Sequence, residues 1–253
     1  MVVSSALASL ATTLTSDGGT RVWLVTGASS GFGRAIVAAA LARGDWVVAG
    51  TRRAEAFGDL PDGVLPVALD VTASDQREAA VAATIERFGR VDVLVNNAGR
   101  TQVGAVEETT DDELRSLFEL HFFAPAALTR LVLPHMRRQS SGAIVQMSSV
   151  GGQTTAPGFG AYCATKFALE GITQALHDEV APVGIRMMVV EPGAFRTGLF
   201  RPDAAYQSQP MPESAQTVGP TRDYVSGGHG LQPSDPAKAA QAIRRSPPPP
   251  ASG

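Results

Sequence analysis

A single cysteine, Cys163, stands in the 253 residues, so no disulfide can form within the chain. That suits a reducing compartment and makes a cytoplasmic location the expectation, with the thiol itself read as a small packed side chain. Basic residues are also few: 21 lysines and arginines face 24 acids, a net charge of −3, and no basic run breaks this balance. The electrostatic footprint of a nucleic-acid binder is therefore missing. No unbroken apolar stretch approaches the roughly 20 residues that a membrane span needs. Residues 1–20 contain neither lysine nor arginine before Arg21, which argues against a secretory signal or a transit peptide and predicts a loose amino-terminal extension. No metal is expected.

What is present is hydrophobic residue enough, at 44%, for a sizeable core. Short apolar runs at Val22–Thr26, Trp46–Gly50, Leu65–Leu69, Val91–Val95, Gly142–Ser148 and Ile185–Glu191 read as strands, with helices at Gly33–Arg43, Ser74–Phe88, Asp112–Met136 and Gly160–Val180 between them. Strands without polar alternation belong to a parallel sheet covered on both faces, so the fold class predicted is α/β, a doubly wound parallel sheet. One domain over residues 21–245 is expected, with a proline-rich tail at 246–253. Ligands of such sheets lie beyond the carboxyl ends of the strands.

Two motifs carry chemistry. After the first strand comes Thr26-Gly27-Ala28-Ser29-Ser30-Gly31-Phe32-Gly33, a glycine turn opening a helix. Glycines let the backbone approach a pyrophosphate, and the helix amino terminus meets its charge. The pattern TGxxxGxG is a variant of the dinucleotide fingerprint. The second motif is Tyr162 and Lys166, four apart on an Ala-rich helix and so on one face. An ammonium beside a phenol favours the phenolate, which makes the pair an acid/base device.

Together with Asp70 in Leu69-Asp70-Val71, Asn96-Asn97-Ala98-Gly99, Ser149, and Pro192-Gly193 followed by Thr197, these motifs stand in the order of the short-chain dehydrogenase/reductase family, which the chain resembles from residue 22 to about 200. The resemblance implies a Rossmann-like sheet. It also implies hydride transfer between a nicotinamide and a carbonyl or secondary alcohol, with Tyr162 moving the proton. Ser149 would bind the substrate oxygen, while Lys166 would lower the phenol pKa and hold the nicotinamide ribose. Asp70 and Val71 would meet the adenine, Asn97, Ala98 and Gly99 the adenosine ribose, and Pro192, Gly193 and Thr197 the carboxamide. A small-molecule substrate and a dimer or tetramer complete what the family implies.

The second strand ends in Ala49-Gly50-Thr51-Arg52-Arg53. An acid there would select NAD by accepting from the ribose 2′-hydroxyl, whereas a 2′-phosphate needs cations. Thr51 occupies the acid's position and Arg52 follows, so NADP(H) is the cofactor expected, with Arg53 and Arg34 as further contacts.

Three features depart from the family. His121 stands where the family has an asparagine whose backbone carbonyl holds a relay water; Pro125 has no N–H to bond the His121 carbonyl, which would leave that oxygen available. Residues 196–233 are irregular and proline-punctuated, the expected substrate lid, with Phe195, Phe200 and Tyr206 as substrate contacts and helix returning at Asp235–Ile243. Pro247–Pro250 cannot supply ladder N–H groups, so the family's seventh strand is expected to be missing. That keeps an alternative alive, an NADP-binding protein without turnover. A sugar-nucleotide epimerase of the extended branch would need a larger carboxyl-terminal domain.

Overall fold

The computed structural model describes residues 19–53, 62–202 and 204–245; most of the amino-terminal extension and the tail at 246–253 lie outside them. Six parallel strands form the central sheet: β1 (Val22–Thr26), β2 (Trp46–Thr51), β3 (Val64–Ala68), β4 (Val93–Asn96), β6 (Gly142–Met147) and β7 (Ile185–Val190), in the order β3-β2-β1-β4-β6-β7. The order reverses between β1 and β4, which opens a crevice at their carboxyl ends. Among the described residues β7 is an edge; the proline-rich end, where the seventh strand was expected to be missing, lies outside them. Pro66 is tolerated in β3 because that strand is the opposite edge.

Alternation within the strands explains their unbroken apolar character. Trp23 and Val25 of β1 face one layer, with Ile36 and Val37 of α1 (Gly31–Leu41) and Ile243 of α7 (Pro236–Arg244). Leu24, between them, faces the other, with Val81 of α2 (Ser74–Phe88) and Leu128, Val132 and Met136 of α4 (Ala124–Gln139).

α4 continues a helical run that starts with α3 (Asp111–Phe118), whose Thr110 and Glu113 form a reciprocal capping box. The 29-residue run Asp111–Gln139 is long and apolar enough to cross a bilayer by length and mean composition, although Glu119, His121 and Arg130 interrupt its apolar residues. Leu117, Leu128, Val132 and Met136 instead bury themselves in the core. Between α3 and α4 the ladder changes register: Glu119–Phe123 is a π-turn in which the Ala124 N–H bonds the Glu119 carbonyl. Pro125, lacking a donor, follows directly. α5 (Gly160–Val180) has the bounds expected of its Ala-rich run.

The stretch expected to be irregular is folded. β5 (Thr101–Val103) pairs with β8 (Ala205–Gln207) in a separate two-stranded parallel sheet, and α6 (Ala215–Gly227) follows a 3-10 turn at Pro212–Ser214. Pro212 sits at a helical start, where no N–H is needed, and Pro220 inside α6 is offset by burial of Val218 and Val225. These valines form a third apolar cluster with Val103, joined by Phe159 and Phe200.

Candidate active site

A cleft of about 650 Å³ runs across the carboxyl ends of the strands. Its floor at one end is the glycine turn. Gly27 and Gly31 have φ of +63° and +52°, open without strain only to glycine. A side-chain carbon on Gly33 would collide with the Gly27 carbonyl oxygen and the Asn97 amide, so the turn closes tightly on itself. Thr26 locks it to β4: its hydroxyl oxygen accepts the Asn97 and Ala98 N–H groups, both at 2.9 Å. The Asn97 side chain donates back to the Thr26 carbonyl at 2.8 Å and the Gly27 carbonyl at 3.2 Å. Asn97 therefore holds the turn as well as lining the cleft.

Ser29, Ser30, Gly31 and Phe32 line this half, with Arg52, Arg53, Asp70, Val71, Asn97, Ala98 and Gly99; Arg34 does not reach it. Arg52 and Arg53 are exposed at the end of β2, beside buried Thr51. Asp70 closes a turn, its carboxylate accepting from the Thr72 N–H at 3.0 Å and the Thr72 hydroxyl at 2.7 Å. These bonds, the backbone one first, hold its pKa below the usual value.

The other half gathers Ser149, Tyr162, Lys166, Pro192, Gly193 and Thr197. Ser149 ends the β6 segment and caps a short 3-10 turn, accepting the Gly151 N–H at 3.1 Å. The Val150 N–H bonds the Pro192 carbonyl at 3.1 Å, which fixes this loop to the one after β7. Tyr162 is partly buried in the wall of the cleft, and desolvation pushes its phenol up from the ordinary value, opposed by a hydrogen bond from the Ser149 hydroxyl. The Lys166 ammonium donates to the Met147 carbonyl at 2.8 Å and lies 5.7 Å from the centre of the Tyr162 ring. Burial brings its pKa down to about 8, with Glu170, one helical turn further on, pulling the other way. The expectation that the ammonium draws the phenol down is thus corrected: here burial dominates the phenol and Ser149 supplies the opposing pull.

His121 is 1% exposed, and burial first, then the Lys166 charge, holds it well below its ordinary pKa. Its ring stands edge-on to Tyr162, with centroids 5.6 Å apart. The three aromatic residues expected to touch substrate separate. Phe195 packs on Phe32 with ring centroids 4.9 Å apart, in the glycine-turn half. Phe200 lies edge-on to Tyr224 at 5.5 Å, and Tyr206, half exposed on β8, lies under the Arg100 guanidinium at 4.0 Å.

Sequence reasoning passed over three residues that the fold brings here. Arg100 directly follows the Asn-Asn-Ala-Gly motif and Thr165 directly precedes Lys166, so both were within reach of their motifs. Glu170 is four residues beyond Lys166, the same spacing that singled out Tyr162.

The geometry matches a known family. The profile of the short chain dehydrogenase family covers residues 21–207. The chain belongs to that family. Oxidoreductase BOA17 of Botryotinia fuckeliana is 39% identical over 233 residues, 88% of this chain and 83% of that protein. A short-chain dehydrogenase from Streptomyces avermitilis superposes with a TM-score of 0.84 at 57% identity, over 90% of this chain and 84% of that one. A 3-ketoacyl-(acyl-carrier-protein) reductase from Brucella melitensis, solved with NADH, gives 0.74 at 28% identity over 90% of each. This short-chain dehydrogenase is accordingly an oxidoreductase with a nucleotide-binding Rossmann-like sheet.

The segment from Met211 to Arg222, part of the stretch expected to act as a lid, hangs on a carboxylate. Glu108, whose side chain is fully covered, accepts the Ala105 N–H at 2.6 Å, the Met211 N–H at 2.8 Å, the Arg222 guanidinium at 2.7 Å and the Ser214 hydroxyl. Burial pushes this carboxyl up, but the four donors outweigh it and pull it down to about 2 from an ordinary 4.5. A carboxyl depressed on folding stabilises fully above its unfolded value, and that stabilisation is lost as pH falls toward the folded one. Asp70 and Glu113 are depressed too and add in the same direction. Thermal stability should therefore decline from about pH 4.5 downward, and Glu108→Gln should flatten that decline. A melting temperature with the same acid dependence in the variant would contradict this assignment.

Proposed function

We propose that the protein is an NADP(H)-dependent oxidoreductase interconverting a carbonyl and a secondary alcohol, with Tyr162 as acid/base. The observation that carries the reading is one cleft holding the glycine turn at one end and Ser149, Tyr162 and Lys166 at the other. The residues fit a dinucleotide: two positive-φ glycines and the close approach at Gly33 leave backbone where a pyrophosphate would lie. Arg52 and Arg53 would hold the 2′-phosphate, and Asp70 and Val71 the adenine. Asn97, Ala98 and Gly99 would line the adenosine ribose, and Pro192, Gly193 and Thr197 the nicotinamide end. The bound cofactor would supply or accept the hydride.

The chain's own work is to place the substrate oxygen and move a proton. The Ser149 hydroxyl orients that oxygen against Tyr162. In reduction Tyr162 gives its proton to the oxygen as the carbon is reduced, and in oxidation it takes it back. A phenol raised by burial favours the protonated form, which suits the donor role. Lys166 keeps a positive charge beside the phenolate that remains. The lid packs Phe200 and presents Tyr206 at the cleft, apolar surface suited to a medium-sized hydrophobic carbonyl.

Cofactor choice is tested by exchange. Thr51→Asp combined with Arg52→Ala should invert the preference, lowering kcat/KM for NADPH about 10- to 100-fold while raising that for NADH. Side-by-side kinetics in which the unchanged protein already prefers NADH would overturn the NADP assignment. A second reading, cofactor binding without turnover, draws on the sheet ending at β7 among the described residues. It predicts NADPH binding with no oxidation across ketones, aldehydes and quinones.

A further inference from the structure

The His121 ring has both nitrogens engaged. The Arg100 N–H donates to Nε2 at 3.2 Å, and an amide can only donate, so that nitrogen carries no proton. Nδ1 lies 3.0 Å from the Thr165 hydroxyl oxygen, whose own proton goes to the Tyr162 carbonyl at 2.7 Å. The hydroxyl is thereby committed as donor to Tyr162 and must accept from His121. The tautomer is fixed: neutral, with hydrogen on Nδ1. Burial of the ring agrees, since an imidazolium could not accept from Arg100.

This chain of bonds runs from the loop after β4 to the first turn of α5. The loop passes close over the ring, because a side-chain carbon at Gly99 would come within 3.2 Å of Nε2. At its outer end the guanidinium of the same Arg100 rests on Tyr206 of the lid strand and donates to Ser116 at 3.3 Å. The π-turn that carries His121 sets the ring between loop and helix, edge-on to the Tyr162 ring.

We propose that His121 is a positioning residue. Its Nδ1-protonated ring bridges Arg100 and Thr165 and so sets where Tyr162 stands, linking the acid/base to the strand beside the lid. The idea rests on Tyr162 being the proton carrier. A misplacement of that phenol by a fraction of an ångström would lower the chemical step while leaving the dinucleotide half intact.

Two substitutions remove the bridge with little change of shape. His121→Phe keeps a ring against Tyr162 and loses both hydrogen bonds; Thr165→Val is isosteric. Each should lower kcat about tenfold or more with KM for NADPH unchanged within about twofold. The double variant should be no slower than the worse single one, because both cut the same chain. His121→Asn, which retains a donor and an acceptor, should recover part of the rate. Nitrogen-15 NMR of histidine in the unaltered protein should show a neutral Nδ1–H ring that does not titrate between pH 5 and 8. Multiplying losses in the double variant, unchanged kcat in the single ones, or an Nε2–H or titrating ring would each overturn the inference. Absence of turnover in the unaltered protein would instead remove the reading of Tyr162 on which it rests.

Discussion

Replacing Tyr162 by phenylalanine should reduce turnover about a thousandfold or more, with the dissociation constant for NADPH changed by no more than a few-fold. General acid–base catalysis by a placed side chain is worth about a hundred- to ten-thousand-fold. The substitution removes one oxygen from the cleft wall and leaves the ring's packing against His121 and Phe159 in place. The Lys166 ammonium is turned to the Met147 carbonyl, and the Ser149 hydroxyl hydrogen-bonds the phenol itself. The glycine turn, Arg52 and Asp70 do not touch Tyr162, so cofactor binding should persist. Single-turnover rates and fluorescence titration with NADPH separate the two quantities. A variant retaining a tenth of the rate would take the proton-transfer role away from Tyr162.

Glu108→Ala should destabilise the fold by about 3 kcal/mol, the scale of breaking a buried ion pair by removing one partner. Marginally stable domains have about 5 to 15 kcal/mol in all, so this is a large fraction. The loss comes from donors left without an acceptor. The Arg222 side chain is only 15% exposed, and the Ala105 and Met211 amides lose their bonds as well. Glu108 joins the loop after β5 to the 3-10 turn and α6, so the lid should loosen before the sheet does. KM for the carbonyl should then rise while KM for NADPH, proposed to bind at the far end of the cleft, stays near its original value. Chemical denaturation and paired KM values check both parts. Unchanged stability, or an equal rise in both KM values, would show that the carboxylate does not anchor the lid.

Much of the fold is legible in the residues because its signals are local. Apolar runs mark the strands, Gly27 and Gly31 mark a turn that only glycine tolerates, and the Ala-rich Gly160–Val180 stretch gives α5 its bounds. β5 and β8 escape notice because they are three residues each and pair across about a hundred positions, with no periodicity long enough to read. α6 is hidden by Pro212 and Pro220, which signal a break when taken one at a time; burial of Val218 and Val225 decides otherwise. The π-turn is foreshadowed by Pro125 but its register depends on how α3 and α4 pack.

In the site, helical spacing brings out Tyr162 and Lys166 and the glycine turn announces itself, while Ser149 and the other expected contacts come from resemblance to the family. The phenol's electrostatics are not legible, since they turn on depth of burial: the cation four residues away is spent on a carbonyl, and desolvation sets the direction. Phe195 illustrates a related limit. It sits close in sequence to the stretch expected to be a lid but folds back on Phe32 beside the glycine turn, a contact that depends on where the loop after β7 returns. Glu108 has no local signature at all, because its partners Met211, Ser214 and Arg222 lie more than a hundred residues on.

The most direct test of the account is the loss of NADPH absorbance when the purified protein meets a panel of ketones, aldehydes and quinones, run beside the Tyr162→Phe variant. NADPH should be oxidised with at least one carbonyl by the unaltered protein and with none by the variant. Tight NADPH binding with no oxidation by either, or equal oxidation by both, would contradict it.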